Sequence, residues 1–378
     1  MAFTGFPKRK QINVALVGYG YAGKVFHAPL IAGTLGLKLH TVVSSDPAKV
    51  RYDLPETSIV KDAGTAFGDS NIGLVVIAAP NHFHAELARA AIAAGKHVVV
   101  DKPFALTVEE AEEVLALSER AGVLLSVFHN RRWDSDFMTL RKLIQQGDFG
   151  EVVQYESRFD RHRPSVRDRW RERAGPGSGA WFDLGPHLVD QTLQLFGMPE
   201  TVSADIAAQR DGAETDDYFH VVLRYRKLRV ILHSSSLGPG RNLRMCVHGT
   251  KASFVKSGFD QQETALKANV KPGGPGWGED PEPGILTVDS DGTSIANDVA
   301  GESGNYGHYY SAMRDAITSG TPVPVLPGDA LATTVVIERA FESAKKGREI
   351  RIKYDALMDT EEGESTEPLA ANSQLPAS

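Results

Sequence analysis

The segment Ile12-Asn13-Val14-Ala15-Leu16-Val17-Gly18-Tyr19-Gly20-Tyr21-Ala22-Gly23 decides the fold of this chain. Its first six residues form an apolar run, its last six match the pattern G-x-G-x-x-G, and a helix-like stretch follows. A strand, a glycine turn and a helix in this order are typical of the first unit of a dinucleotide-binding Rossmann domain. We expect Gly18 to allow a tight turn, Gly20 to let the backbone approach a pyrophosphate, and Gly23 to let the helix pack on the strand.

Strand and helix signals continue to alternate through the first third of the chain. Further apolar runs predict strands at 37–43, 74–79, 97–100 and 123–128, with helices predicted at 22–32, 85–94 and 108–121. The last helix has a local start signal, a capping box made of Thr107 and, three residues later, Glu110. Alternating strands and helices, with near-continuous apolar strands, predict a parallel sheet that is buried on both faces.

After about residue 129 the order of the signals changes. Alternating runs predict strands at 152–159, 201–208, 218–225, 228–236 and 243–247, and helices are predicted at 135–145, 183–196, 306–318 and 329–346. Short turns between neighbouring strands predict antiparallel pairing, and the Pro- and Gly-rich stretch 271–284 predicts a loop.

The predicted fold class is therefore α/β followed by α+β. We expect a Rossmann domain with a parallel sheet at 1–128 and a substrate and oligomerisation domain with an open antiparallel sheet at 129–357. The acidic, then Ser- and Pro-rich stretch 358–378 predicts a disordered tail.

Composition narrows the classes of function. The chain has 378 residues, a net charge of −7, 42% hydrophobic and 24% charged residues, as expected for a globular protein of about two domains. The negative charge argues against a nucleic-acid partner. A single cysteine, Cys246, excludes an internal disulfide, and the histidines lack metal-site spacing, so we expect no metal. No stretch predicts a membrane span or, at 1–10, a signal peptide, so we expect a cytoplasmic protein with no membrane partner.

The residues after the second predicted strand bear on the cofactor. NAD-binding proteins usually place an acidic residue there, against the ribose 2′-hydroxyl. Here Ser44 and Ser45 follow the strand, and Lys49 comes one helical turn later. A hydroxyl does not repel a 2′-phosphate and a lysine attracts one, so the sequence favours NADP, with NAD as the second choice. The alternative is a strand that runs two residues longer, which would make Asp46 the ribose ligand.

Two further segments resemble a named family. The first is Ala79-Pro80-Asn81-His82-Phe83-His84 together with Gly95-Lys96-His97-Val98-Val99-Val100-Asp101-Lys102-Pro103, and the second is Asp183-Leu184-Gly185-Pro186-His187-Leu188-Val189-Asp190. They are similar to the Glu-Lys-Pro and Asp-x-Gly-x-His-x-x-Asp motifs of the Gfo/Idh/MocA oxidoreductase family. This chain departs from the first motif because Asp101, a shorter acid, stands where the family has Glu.

The resemblance covers nearly the whole chain, from residue 12 to about residue 352. Within the family it is nearest to the scyllo-inositol dehydrogenases that use NADP. The residues that carry this finer likeness are Phe26-His27-Ala28-Pro29-Leu30-Ile31, His129-Asn130-Arg131-Arg132-Trp133-Asp134 and Arg167-Asp168-Arg169-Trp170-Arg171-Glu172.

The resemblance implies a catalytic set of Lys102, Asp183 and His187, with His187 as the acid and base. Asp183 and His187 are four residues apart and share one face of a predicted helix. Each also has a structural explanation: Lys102 as a surface lysine, Asp183 as a helix N-cap, and His187 as a buried histidine with satisfied hydrogen bonds.

The remaining candidate residues are assigned to the two ligands. Those expected at the cofactor are Gly18, Tyr19, Gly20, Tyr21, Ala22, Gly23, Ser44, Ser45, Lys49, Ala79, Pro80, Asn81, His84, Asp101 and Lys102. Those expected at the substrate are Arg131, Trp133, Arg167 and Trp170. The basic run 161–173 has two interpretations, a solvated loop with internal ion pairs to Asp160, Asp168 and Glu172, or a contact to an anionic substrate.

The expected function is interconversion of a secondary alcohol and a ketone on a sugar or cyclitol, with scyllo-inositol as the best guess. Two alternatives stay open: a dinucleotide-binding sensor without catalysis, and an enzyme that retains its cofactor and performs net non-redox sugar chemistry. The resemblance also implies a homodimer or homotetramer that pairs through the open sheet.

Overall fold

The computed structural model describes residues 11–240 and 243–353. The expectations for residues 1–10 and for a tail at 358–378 lie outside the described residues.

Six parallel strands form the first sheet, in the order β3-β2-β1-β4-β5-β6. The strands are β1 Ile12–Val17, β2 Leu37–Val43, β3 Ser58–Val60, β4 Ile72–Ile77, β5 His97–Val100 and β6 Leu125–Val127. The helices are α1 Ala28–Gly33, α2 Pro47–Asp53, α3 Ala63–Gly68, α4 His84–Ala93 and α5 Val108–Ala121.

The strand order places the glycine turn at a functional position. β1 lies between β2 and β4, so the connections leave the carboxyl ends of β1 and β4 towards opposite halves of the sheet. Such a switch point opens a crevice at the carboxyl ends of parallel strands, where ligands bind in this class of fold. Gly18 follows β1 and Ala78 follows β4, so both turns lie at this crevice.

The helix after the glycine turn is less regular than the sequence predicts. A π-helical turn over Gly23–His27 precedes α1, where one α-helix is predicted over 22–32. Pro29 explains the difference, because it lacks an N–H and its ring crowds the carbonyl four residues earlier. The wide turn also directs the His27 side chain into the protein, where it is fully buried.

The second half of the chain builds a nine-stranded sheet in the order β14-β13-β12-β11-β7-β10-β9-β8-β15. Its strands are β7 Val152–Arg158, β8 Thr201–Ala207, β9 Tyr218–Arg224, β10 Arg229–Ser235, β11 Leu243–Gly249, β12 Ala252–Ser257, β13 Gly284–Ser290, β14 Thr293–Val299 and β15 Ile350–Arg351. The helices of this half are α6 Ser135–Gln146, α7 Ala180–Phe196, α8 Gln262–Lys267, α9 Gly307–Ser319 and α10 Pro327–Lys346.

The predicted fold class is confirmed, with one difference in the second sheet. The predicted antiparallel pairing holds for every neighbouring pair except β7 and β10, which run parallel. β7 and β10 are joined through α7 and two further strands rather than by a hairpin, so no tight turn forces them to be antiparallel. The sheet is therefore mixed.

The sequence reading also missed the hairpin of β13 and β14. Its two-residue turn is Asp291-Gly292, with Ser290 paired to Thr293. Both turn residues have positive φ, 54° and 80°, as a type I′ turn requires. The Asp-Gly pair was the available signal for this hairpin.

Helix α7 begins at Ala180, three residues before the predicted start. Its position is fixed by Trp181, which is fully buried, stacks edge-on against Phe219 with centroids 4.9 Å apart, and donates from Nε1 to the Ile337 carbonyl at 3.1 Å. Gly185 passes over this ring, because a Cβ there would lie 2.6 Å from the Trp181 ring. The early start places Asp183 inside the first turn of the helix, not at its cap.

Candidate active site

The three glycines of the turn have different surroundings. Gly18 has φ +96°, and a Cβ on it would lie 2.6 Å from the Ala78 carbonyl oxygen. A Cβ on Gly23 would lie 2.2 Å from the Gly18 carbonyl oxygen. A Cβ on Gly20 would meet no atom within 4 Å, yet Gly20 lines the largest cavity described below. The fold itself therefore requires Gly18 and Gly23, whereas the space at Gly20 fits a ligand that approaches the backbone.

This contrast predicts opposite effects for two alanine substitutions. Gly23→Ala is expected to lower the free energy of unfolding by about 1–3 kcal/mol, because its Cβ overlaps backbone. Gly20→Ala is expected to change stability by less than about 0.5 kcal/mol and to weaken dinucleotide binding about tenfold or more. Denaturant unfolding and NADPH fluorescence titration measure the two quantities. Equal stability losses in both variants would contradict this account of the turn.

The second strand has the shorter of its two predicted lengths, which leaves Ser44 rather than Asp46 directly after it. β2 ends at Val43, and the Ser44 hydroxyl accepts the N–H of Asp46 at 3.1 Å. Asp46 is the N-cap of α2, and its carboxylate accepts the N–H of Lys49 at 3.1 Å. Lys49 is exposed, with Nζ 6.0 Å from the centroid of the Tyr19 ring. Ser45 is exposed beside them. The acidic group here is thus engaged in capping the next helix.

The loop after β4 is held by its own polar side chains. Asn81 is buried and donates to the Gly177 carbonyl at 2.7 Å. His84 is buried between two carbonyl oxygens, that of Pro103 at 2.7 Å and that of Ala79 at 2.9 Å. Burial lowers the pKa of His84. His84 therefore positions this loop against the loop after β5, and Asn81 ties it to the segment before α7. Neither residue lines the central cleft described below.

Lys102 follows β5 at the carboxyl edge of the sheet and meets α7. Its Nζ lies 3.1 Å from Asp183 Oδ1 and 2.5 Å from the Asp183 carbonyl oxygen. Arg171 approaches the same carboxylate, with its Nε 3.2 Å from Oδ1. Burial raises the pKa of Asp183, but the charges of Lys102 and Arg171 lower it more, to well below its usual range. The site therefore contains an ionised carboxylate that holds an ammonium group at the sheet edge.

His187 lies one turn further along α7 and is only 6% exposed. Its Nδ1 is buried and has no hydrogen-bond partner within the described parts of the chain. Burial, followed by the positive charges of Lys102 and Arg131, lowers its pKa well below 6.5. The imidazole is therefore neutral at physiological pH.

The buried pair of His27 and Asp101 supports the backbone of Lys102. His27 lies with its Nε2 3.7 Å from Asp101 Oδ1, and its Nδ1 is 2.6 Å from the Tyr310 hydroxyl. Asp101 Oδ1 also accepts the backbone N–H of Lys102 at 2.9 Å. Burial raises the pKa of Asp101, but His27 and Lys102 lower it more, to about 2. The ionised Asp101 carboxylate therefore fixes the backbone of Lys102.

Asp101, Lys102, Asp183 and His187 line a cavity of about 510 Å³, which we call the central cleft. Its volume is in the range of small-molecule sites. The residues lining it from the first half of the chain are Gly20, Tyr21, Ala22, Phe26, Asp101, Lys102 and Phe128. Those from the second half are Asn130, Arg131, Arg161, Arg163, Arg167, Arg169, Trp170, Arg171, Asp183, Leu184, His187, Glu263 and Lys267.

Three of the four residues predicted at the substrate line the central cleft: Arg131, Arg167 and Trp170. Trp133 does not, because it packs edge-on against Tyr309 with centroids 5.9 Å apart. Arg131 is held from two sides, by Asp134 at 3.2 Å and by Glu263 at 3.0 Å. Of the two predicted tryptophans, Trp170 is therefore the one that lines the central cleft.

Helix α8 contributes residues that the sequence reading missed. Glu263 accepts the Tyr21 hydroxyl at 2.5 Å and pairs with Lys267 at 2.7 Å, in addition to Arg131. Burial raises the pKa of Glu263, but Arg131 and its other partners lower it to about 2. This short polar helix has no periodic pattern that could have marked it, yet it joins Tyr21 of the glycine turn to Arg131.

Across residues 11–240 and 243–353, no group of three or more His, Cys, Asp or Glu side chains is placed to hold a metal ion. Within the same ranges, no helix is long and apolar enough to cross a membrane.

A Rossmann domain with an open Gly20 cradle, a sheet-edge lysine and an Asp–His pair in one cleft defines a dinucleotide-dependent oxidoreductase. Residues 12–129 match the model of the oxidoreductase family NAD-binding Rossmann fold, and residues 141–352 match that of the C-terminal alpha/beta domain of the same family. The chain therefore belongs to the Gfo/Idh/MocA oxidoreductase family.

Individual relatives cover almost the whole chain. The uncharacterized oxidoreductase YdgJ of Escherichia coli is 49% identical over 89% of this chain and 97% of its own. The scyllo-inositol 2-dehydrogenase (NADP(+)) IolW of Bacillus subtilis is 40% identical over 93% of this chain and 98% of its own. The solved structure of the YPO2259 oxidoreductase from Yersinia pestis superposes with a TM-score of 0.88 at 47% identity, over 92% of this chain and 98% of that one.

Proposed function

We propose that this oxidoreductase interconverts a secondary alcohol and a ketone on a sugar or cyclitol, with scyllo-inositol and its ketone as the first candidates and NADP as cofactor. The observation that carries the proposal is the meeting of Lys102, Asp183 and His187 in a cleft that Gly20 also lines. The name of the relative IolW, a scyllo-inositol 2-dehydrogenase that uses NADP, supports the same substrate class and cofactor.

The roles of the three residues follow from their charges. A bound nicotinamide dinucleotide supplies the hydride acceptor. The Lys102 ammonium, positioned by Asp183 at 3.1 Å, donates a hydrogen bond to the substrate oxygen and stabilises negative charge that develops there. Neutral His187 accepts the hydroxyl proton in oxidation and returns it in reduction. Gly18 to Gly23 hold the pyrophosphate, with Ala79 and Pro80 beside the cofactor.

The preference for NADP depends on Ser44, Ser45 and Lys49. Ser44→Asp is expected to lower kcat/KM for NADP by about tenfold or more and to raise the value for NAD, because a carboxylate repels a 2′-phosphate and binds a ribose hydroxyl. Lys49→Ala is expected to lower the value for NADP alone. Lys38→Ala, at an exposed lysine near the amino end of β2, is the matched control. An unchanged NADP/NAD ratio in Ser44→Asp would place the 2′-phosphate elsewhere.

The proposal includes self-association as a homodimer or homotetramer. On the open side of the second sheet, the paired residues Val255 and Ile285 are 36% and 44% exposed. Apolar side chains on adjacent strands of an open sheet favour pairing with a second copy. Light scattering on the purified protein measures the mass directly.

The function is tested by initial rates of NADPH formation with scyllo-inositol, myo-inositol and common aldoses, with NAD in parallel. Turnover that requires NADP and one of these polyols supports the proposal. Tight NADPH binding without turnover of any polyol or its ketone contradicts it and favours a non-catalytic dinucleotide sensor. Product formation without net NADPH would instead indicate an enzyme that retains its cofactor.

A further inference from the structure

The chain continues beyond β7 as an extended segment beside the end of β10. The backbone N–H groups of Phe159, Arg161 and Arg163 donate to the carbonyls of His233, Ser235 and Ser236 at 2.9, 2.9 and 2.7 Å. Alternate residues of an extended segment lie on the same face. The two arginines therefore project on the side of Phe159, and both line the central cleft.

A smaller cavity of about 40 Å³, which we call the arginine recess, adjoins the central cleft. The two share Asp183, Leu184 and five arginines: Arg161, Arg163, Arg167, Arg169 and Arg171. All of its lining residues lie between 159 and 236, so the Rossmann domain contributes none. Residues of the glycine turn line the central cleft and not the recess, whereas Asp183 lines both. One water needs about 10–15 Å³ of such volume, so the recess suits a group the size of a carboxylate or phosphate.

The carboxylates that line the arginine recess all have partners. Glu172 is shared by Arg167, Arg169 and Arg210 at 2.8, 2.6 and 3.1 Å. The pairing of Glu172 and the contact of Asp168 with Arg173 bear out the internal ion pairs considered for this loop.

The other three carboxylates are engaged as well. Asp183 holds Lys102 and Arg171, Asp217 pairs with Arg210 at 2.7 Å, and Asp216 accepts the Trp181 N–H at 2.7 Å.

Arg161 and Arg163, by contrast, form no ion pair with any residue in the described ranges. Burial lowers the pKa of Arg163 to about 10, together with the charges of Arg161, Arg167 and Arg169. Burial also lowers the pKa of Arg161, and Arg131 adds to that effect. The carboxylates of Glu263 and Asp183 attract these guanidinium groups only from beyond ion-pair distance. Two guanidinium groups thus lie beside Asp183 without a direct partner, and burying charges without a partner is unfavourable.

We propose that the arginine recess binds a carboxylate or phosphate group of the substrate, with Arg161 and Arg163 as its ligands. This narrows the proposed sugar or cyclitol class to acidic or phosphorylated members, which replace neutral scyllo-inositol as the first candidates. This inference rests on the proposed function, because it assumes that the reacting carbon lies at Lys102 and His187. Planar guanidinium groups bind both kinds of oxyanion through paired hydrogen bonds.

The first test measures binding without turnover. Inorganic phosphate is titrated calorimetrically into protein saturated with NADPH, so that the cofactor's own phosphate sites are filled. Arg161→Gln and Arg163→Gln are each expected to weaken phosphate binding by about 10- to 100-fold. Arg173→Gln, an exposed arginine that lines neither cavity, is the matched control and should bind as the unmodified protein does. No phosphate binding, or equal binding by all variants, overturns the inference.

The second test separates this inference from the proposed function. Rates are compared for glucose, glucuronate and glucose 6-phosphate, which share a ring and differ in charge. The inference predicts a higher kcat/KM for a charged sugar, and an Arg163→Gln loss of about 10- to 100-fold that is confined to the charged sugars. Turnover of neutral sugars or polyols alone, or equal Arg163→Gln losses for neutral and charged sugars, overturns the inference and leaves the proposed function standing. Phosphate binding that depends on Arg163, without turnover of any sugar or cyclitol, supports the recess and contradicts the function.

Discussion

His187→Gln is expected to lower kcat for alcohol oxidation by about 100- to 10,000-fold, the usual contribution of a positioned general base. Gln retains polar atoms but does not accept a proton near neutral pH. His162→Gln, the same change at an exposed histidine, should leave kcat unchanged. Single-turnover rates with NADP, beside an NADPH titration, separate chemistry from binding. If His187→Gln retains full kcat, another group is the base.

The same residue sets the acid limb of the pH profile. Burial and the charges of Lys102 and Arg131 lower the pKa of His187 well below 6.5. Since a base must be unprotonated, oxidation stays active as the pH falls past 6.5 and is lost only when His187 takes up its proton. Measurement of kcat/KM against pH therefore places the acid limb below 6.5. A limb above that value, still present in His187→Gln, would assign it to a different residue.

Lys102→Met is expected to lower kcat by about 100- to 1,000-fold, as the loss of one preorganised donor to a developing oxyanion does. The variant also loses the cation that most lowers the pKa of His187 after burial, so its remaining acid limb should move to higher pH. Rates across the acid range measure both effects. A fall in kcat with an unmoved limb would separate Lys102 from His187.

Lys96 provides a matched control for this change at the other end of β5. Its Nζ is buried and donates to the carbonyls of Asp69 and Ile72 at 2.7 and 2.9 Å, away from the central cleft. Lys96→Met should therefore lower the free energy of unfolding, by about 1–3 kcal/mol for the unpaired carbonyls, and leave kcat per folded molecule unchanged. Equal kcat losses in both variants would show a folding effect.

The elements predicted well from sequence are those with local start and stop signals. Helix α5 has the predicted bounds because Thr107 caps its first turn and Gly122, with φ 63°, ends it in the left-handed conformation. The turn Gly18–Gly23 was readable for the same reason, since strand, glycine spacing and helix are contiguous. Helix α7 began earlier than predicted because Trp181 is fixed by distant contacts with Phe219 and Ile337.

The sequence pointed to most of the residues of the candidate site, but it did not show which residues they contact. The meeting of Lys102 with Asp183 joins positions 81 residues apart, and that of Tyr21 with Glu263 joins positions 242 residues apart. Trp133 and Trp170 are similar in sequence context, yet only Trp170 lines the central cleft. Which aromatic residue faces a ligand depends on the packing of several elements, and no local pattern records it.

Glycine spacing and apolar periodicity, which are properties of neighbouring residues, were enough to predict the Rossmann unit from the sequence alone. Short motifs carried the resemblance to the family, and the three catalytic candidates were predicted through that resemblance. The tertiary structure alone decided the parallel pairing of β7 with β10, the support of Lys102 by His27 and Asp101, and the role of Glu263. It also decided which arginines of the basic run have carboxylate partners and which, Arg161 and Arg163, face the cleft without one. The physical reason is that charge compensation and burial depend on distances between segments far apart in the chain, which only the folded molecule sets.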